Sequence, residues 1–331
     1  MRFVAVGGSN TLMKGGYLAY IDAYLPGATV VNLGIGDTNS AMGLFRLLSF
    51  DDLRKDDIVI WEYALNDAFS LNSRPDSWFL RNLEYVIRHC QAKGCRVLPI
   101  ILANKPSDNA VRPSAYRAKI HHLCSAYGID LIDIPNDLRA LFNTKFLDPK
   151  FYSDPSHYRR DGKIVKLIAS RIAQEALRGL RLPREIFGIY VRDGFAPQIR
   201  TDFSGSARRN FTNSIISYDY HDLRDGPVEF VPNTQEGTII SCITFVSPSA
   251  GKCAVEIKTL PADAPVKVAM SMQNRFAHQT MVLMRANFGG KGVYDIPADE
   301  GTIIKFKDYE LSDDDAGLAR GIVAMLTEEA C

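Results

Sequence analysis

Ser9 follows two glycines, Gly7 and Gly8, directly after a short apolar run that begins at Phe3. Asp154 and His157 stand far downstream, three positions apart, in the segment Asp154-Pro155-Ser156-His157. A hydroxyl, an imidazole and a carboxylate are the groups of nucleophilic acyl transfer. The imidazole takes the hydroxyl proton, and the carboxylate holds its tautomer and stabilises the imidazolium. Asn66, and a backbone N–H in the loop holding Gly36 and Asp37, could donate to an oxyanion. Each residue also has an ordinary reading. Gly7-Gly8-Ser9 makes a tight turn with Ser9 as a helix N-cap, Asn66-Asp67 makes a helix start, and Asp154 caps the last helix. Pro155, Ser156 and Asp161 suit the start of that helix. The chemical reading requires a fold that brings these segments together.

Hydrophobic patterning supplies one. Short apolar runs at 2–6, 29–36, 57–64, 95–103 and 130–134 read as buried strands. Between and after them, 15–27, 40–49, 78–94, 114–128 and 162–179 read as helices, the last with Ile164, Leu167, Ile168, Ile172 and Leu177 on its apolar side. Strand–helix alternation with continuously apolar strands predicts a parallel sheet covered on both faces. Ligands bind such sheets at the carboxyl ends of the strands. The segments holding Ser9, Gly36 and Asn66 each follow a strand, and the segment holding His157 precedes the last helix.

The pattern changes beyond residue 180. A connector is expected over 181–199, dividing an α/β domain over 1–180 from a β domain over 200–331. Strands are expected at 237–247, 253–260, 266–272, 280–288 and 301–311, between Gly- and Pro-bearing turns, while 318–326 suits either helix or strand. This part predicts a sandwich or jelly roll.

The bulk numbers bound the function. The chain has 331 residues, 46% of them hydrophobic and 23% charged, and 39 Lys and Arg against 38 Asp and Glu give a net charge of +1. No basic excess points to nucleic acid or to an anionic membrane. No apolar run has the length of a signal-peptide core or of a membrane span, so a cytoplasmic protein starting at Met1 is expected. Cys90, Cys95, Cys124, Cys242, Cys253 and Cys331 form no CxxC pair, and neither a metal site nor a disulfide framework is expected. His121 and His122 read as exposed or half-buried helix residues, Glu62 as a structural hydrogen-bond partner or a pocket-lining residue, and Trp61 and Trp78 as core or pocket-wall aromatics.

Taken together, residues 2–178 resemble the SGNH, or GDSL-type, hydrolase superfamily. Its Gly-Asp-Ser block is matched by Gly7-Gly8-Ser9, with Gly in place of Asp. Its Asn-x-Gly block is matched by Asn32-Leu33-Gly34-Ile35-Gly36-Asp37-Thr38, one residue short of the commonest pattern. Its Gly-x-Asn-Asp block is matched by Ala64-Leu65-Asn66-Asp67, and its Asp-x-x-His block by Asp154-Pro155-Ser156-His157. The resemblance implies a flavodoxin-like three-layer α/β/α domain in which Ser9 is the nucleophile, His157 the base and Asp154 its orienter. It implies an oxyanion hole made by the Ser9 N–H, a backbone N–H of the second block and the Asn66 amide. That second N–H is assigned to Gly36 over Asp37, because glycine tolerates the turn. Arg112, Tyr116 and Arg117 fall where the family often recognises substrate. No metal and no cofactor is implied. The expected function is hydrolysis of short acyl esters, acetyl first, on a small molecule or a carbohydrate. The alternatives are a sugar O-acyltransferase using the same residues and a catalytically weak glycan-binding protein.

Overall fold

The computed structural model describes residues 1–105, 114–144, 148–160, 162–232, 234, 236–246, 252–259, 266–271, 283–287, 296–298, 301–308 and 321–331. The chain forms two compact units, Met1–Asp193 and Gly194–Cys331.

In the first unit, β1 (Arg2–Gly7), β2 (Thr29–Asn32), β3 (Ile58–Glu62), β4 (Arg96–Ile101) and β5 (Ile132–Asp133) form one sheet in the order β2-β1-β3-β4-β5. All neighbours are parallel. This is the flavodoxin-like strand order. Eight helices are described: α1 (Ser9–Leu12), α2 (Ile21–Tyr24), α3 (Ser40–Leu48), α4 (Ala64–Ser70), α5 (Asp76–Lys93), α6 (Ala115–Tyr127), α7 (Ile134–Leu141) and α8 (Lys163–Arg178). Because side chains alternate along a strand, Phe3, Ile58 and Leu98 share one face, where Ile21 of α2 and Ile164 and Ile168 of α8 complete a core. Val4, Val59 and Val97 turn to the other face, on which α3 and α5 lie. The register sets Gly7 level with Glu62, so the ends of β1 and β3 open at one edge.

Local chemistry accounts for where the sequence reading and the structure part. The strand expected over 130–134 pairs only at Ile132 and Asp133. Asp133 then accepts the Asn136 N–H at 3.1 Å, and Pro135 sits in the first turn, which starts α7. The helix expected over 15–27 is a 3₁₀ turn, Tyr17–Tyr20, followed by the short α2. Leu177, expected on the apolar side of α8, is 68% exposed. The expected stops hold: Gly94 and Gly128 cap α5 and α6 with φ of 68° and 65°, a conformation that costs glycine nothing.

The connector expected over 181–199 is divided between the units. Glu84, fully buried in α5, accepts the backbone N–H groups of Ile189 (2.8 Å) and Tyr190 (2.6 Å). Arg88 donates to the Ile186 carbonyl at 3.1 Å and to Asp193 at 2.8 Å. Residues up to 193 are thereby laid along the first unit. From Phe195 the chain is strand: β6 (Phe195–Arg200), which among the described residues pairs with one neighbour. Pro197 is tolerated there because an edge strand leaves one side of its backbone unpaired.

The second unit continues with β7 (Phe203–Ser204), β8 (Arg208–Thr212), β9 (Ser217–Asp222), β10 (Val228–Phe230), β11 (Gly237–Val246), β12 (Lys252–Thr259), β13 (Val266–Ser271), β14 (Leu283–Asn287), β15 (Ile296–Pro297), β16 (Thr302–Asp308) and β17 (Gly321–Ala330). One antiparallel sheet runs β13-β12-β16-β10-β7, and the other runs β14-β11-β17-β9-β8, with β15 on β11 and β6 on β17. Phe230, Val255 and Phe306 from the first sheet share one core with Ile239, Cys242 and Met325 from the second. The unit is therefore a β-sandwich. Of the segment 318–326 that suited either helix or strand, residues 321–326 are strand, as part of β17, and 318–320 lie outside the described residues.

Candidate active site

The turn after β1 is built by two close approaches. A methyl carbon at Gly7 would lie 2.7 Å from Thr11 Cβ, and one at Gly8 would lie 2.7 Å from both Cγ and Nδ2 of Asn66. A side chain at either position would force Thr11 or Asn66 to move; with glycine at both, the chain leaves β1, donates the Gly8 N–H to the Glu62 carbonyl (3.1 Å) and starts α1 at Ser9. Gly8, not Ser9, is the N-cap, and the Ser9 hydroxyl is held instead by His157. As the first helical residue, Ser9 has no carbonyl one turn earlier to take its N–H.

His157 Nε2 lies 2.7 Å from Ser9 Oγ, and His157 Nδ1 lies 2.8 Å from one Asp154 oxygen and 2.9 Å from the other. The three residues form one hydrogen-bonded chain across 148 positions of sequence. The segment carrying Asp154 and His157 is a small hairpin. Tyr152 and Tyr158 form an antiparallel bridge, and the Ser153 N–H reaches the His157 carbonyl at 3.0 Å. Asp154 closes its own turn, accepting the backbone N–H groups of Ser156 (2.8 Å) and His157 (3.0 Å). It does not cap α8, whose N-cap is Gly162 with no side-chain bond; Asp161 lies outside the described residues. Burial works against the Asp154 charge, but the Ser156 N–H and then His157 outweigh it and hold the carboxyl below the usual carboxylate range. An ionised Asp154 facing Nδ1 leaves Nε2 free to accept the Ser9 proton.

Asn66 lies in the first turns of α4, with its carboxamide against Gly8. Its Oδ1 is buried without a hydrogen-bond partner among the described residues. Gly36 also borders the nucleophile: a methyl carbon there would sit 3.6 Å from Ser9 Cβ. The turn conformation expected of Gly36 belongs instead to Asp37, with φ 54°. Aspartate tolerates this region better than most residues, so the conformational reason for preferring Gly36 falls and its place beside Ser9 remains.

Behind the site lie two buried carboxylates. Asp67 accepts the Ser40 N–H at 2.9 Å and the Tyr116 hydroxyl at 2.7 Å, tying the Asn66 helix to the start of α3. Burial pushes its carboxyl up to about 7. Glu62 accepts the Thr11 hydroxyl at 2.9 Å, and that oxygen is 2.8 Å from the Tyr17 hydroxyl. Burial pushes Glu62 up to about 8, the Thr11 bond opposing it.

These raised values have a sign. Glu62 loses its proton near 4.5 when unfolded but near 8 when folded, so the unfolded state binds fewer protons between those limits and stability falls as pH rises through them. Glu62→Gln removes this contribution while keeping an acceptor for Thr11. Relative to wild type, the variant is expected to gain about 2–4 kcal/mol between pH 5 and pH 8. Urea unfolding at both pH values checks this; an unchanged difference between variant and wild type contradicts it.

The remaining expectations divide. Tyr116 and Arg117 are 2% and 7% exposed, bound to Asp67 and Asp133, and are structural rather than substrate-facing; Arg112 lies outside the described residues. His121 bonds Asp133 at 2.7 Å, and no His, Cys, Asp and Glu group among the described residues is arranged for a metal. Trp61 and Trp78 are core. No described helix is long and apolar enough to cross a membrane. The sequence reading missed Asn10, which is 6% exposed.

The profile of the GDSL-like Lipase/Acylhydrolase family matches residues 5–163. Among solved structures, a two-domain esterase (CEX) active on acetylated mannans aligns with TM-score 0.65 and 13% identity, over 99% of this chain and 91% of that one. Its complex with mannopentaose aligns with TM-score 0.65 and 14% identity, over 100% and 91%. Both units therefore recur together in one fold. No curated protein matches the chain by sequence.

Proposed function

We propose that this chain, whose residues 5–163 belong to the GDSL-like Lipase/Acylhydrolase family, is a serine esterase that removes short acyl groups, acetyl first, from a carbohydrate. The hydrogen-bonded chain from Ser9 through His157 to Asp154 carries the reading. Ser9 Oγ attacks the ester carbonyl as His157 Nε2 takes its proton. The tetrahedral oxyanion is held by the Ser9 N–H, the Gly36 N–H and Asn66 Nδ2. Collapse expels the sugar hydroxyl, which takes the proton back from His157, and leaves Ser9 acylated. His157 then deprotonates a water that attacks the acyl-enzyme, and the carboxylate departs with Ser9 restored. Asp154 stabilises the imidazolium in both halves and keeps its own charge.

The esterase that shares the two-domain fold acts on acetylated mannans, which makes acetylated mannooligosaccharide the first glycan to test. The expected result is acetate release from it, together with hydrolysis of p-nitrophenyl acetate well ahead of p-nitrophenyl decanoate, neither requiring an added sugar. Turnover only when a sugar acceptor is present assigns acyl transfer instead. Saturable glycan binding without turnover of any ester assigns a binding protein.

A further inference from the structure

We infer that Asn10 is a positioning residue that holds His157 in register with Ser9, an inference that rests on the serine-esterase reading above. Ser9 opens α1, just after β1, and His157 lies on a hairpin 148 residues away. A contact of that range needs something to fix its geometry. Asn10, the residue after the nucleophile, provides it. Its Nδ2 donates to the Ser156 carbonyl at 3.1 Å, and its Oδ1 accepts the Tyr158 N–H at 3.2 Å. One carboxamide therefore binds the main chain immediately before and immediately after His157.

The bonds close a ring. It runs from the Asn10 backbone to Ser9, across Ser9 Oγ to the His157 imidazole, down to the 156–158 backbone and back through the Asn10 amide. Tyr158 supports the far side. Its ring stacks on Tyr152 at 4.6 Å, and the Tyr152 hydroxyl donates to the Ala103 carbonyl at 2.9 Å, beyond the end of β4. The hairpin is thus fixed to the sheet on one side and to the nucleophile's own helix on the other. Asn10 touches neither substrate nor the transferred proton; it acts through the imidazole.

Freeing the imidazole by about 1 Å is expected to cost on the order of 10–100-fold in kcat with little change in KM. Asn10→Ala removes both bonds. Asn10→Asp keeps the shape and the acceptor for Tyr158 but cannot donate to Ser156 when ionised, so it serves if the alanine variant fails to fold. Both are measured on p-nitrophenyl acetate, alone and combined with His157→Ala. The expected result is a kcat loss in the His157 background and no further loss once His157 is gone, because the amide then has no base to position. Wild-type kcat in both single variants overturns the inference. So does an equal further loss in the His157→Ala background, which would show that Asn10 acts on Ser9 or the oxyanion donors. Full activity in Ser9→Ala sinks the esterase reading itself; an inactive Ser9→Ala beside unimpaired Asn10 variants sinks only this inference.

Discussion

Ser9→Ala and His157→Ala are each expected to lower kcat for p-nitrophenyl acetate by about 10⁴-fold or more, and the double variant by no more than the worse single one. The reason lies in the 2.7 Å bond between Oγ and Nε2. A serine hydroxyl is a weak nucleophile until a base takes its proton as it attacks. Removing either partner removes the same event, so the losses do not add. The activity left over comes from binding and from the oxyanion donors, which neither substitution touches. Initial rates, together with the far-UV spectrum and thermal midpoint of each variant, separate lost chemistry from lost fold. Mass spectrometry after fluorophosphonate treatment should find the label on Ser9. Unimpaired turnover in either variant, or a label on another serine, rejects the triad.

Asn66 carries the second large effect. Its Oδ1 is buried without a hydrogen-bond partner among the described residues, and its carboxamide lies against Gly8, next to the nucleophile. Deleting one preorganised oxyanion donor typically costs about 10²–10³ in kcat. Asn66→Ala is expected to show that loss with KM changed less than about threefold, since the donor acts on charge that develops only in the transition state. Asn66→Asp should be at least as impaired, because it sets a carboxylate where the oxyanion forms. A KM rise at constant kcat would move Asn66 from the oxyanion hole to ground-state binding.

What could be read in the sequence follows from how local the cause is. The parallel sheet, the long α5, α6 and α8, and the reactive segments at the strand ends rest on contiguous apolar runs and short polar motifs, whereas the flavodoxin-like order is implied only by the family resemblance. Asp154 and His157 announce themselves because orienter and base share one turn. Asn10 does not: its two partners lie more than a hundred residues away, and an asparagine after a serine carries no pattern of its own. The left-handed Asp37 was hidden by a neighbouring glycine that seemed the natural turn residue by composition. In the second unit, β11, β12, β13 and β16 have the apolar content expected of core strands. Strand β8 is largely polar and exposed, β9 is polar although its last three residues are buried, and β6 carries a proline, so no apolar run marks them as strands.

The packing of Gly8 on Asn66 also constrains how this sequence can change over time. The family's usual residue at position 8 is aspartate, yet any side chain there would occupy the space that the Asn66 amide fills. Gly8→Asp alone, although it restores the common motif, would therefore displace the Asn66 carboxamide from its place against Gly8, and positions 8 and 66 have to change together.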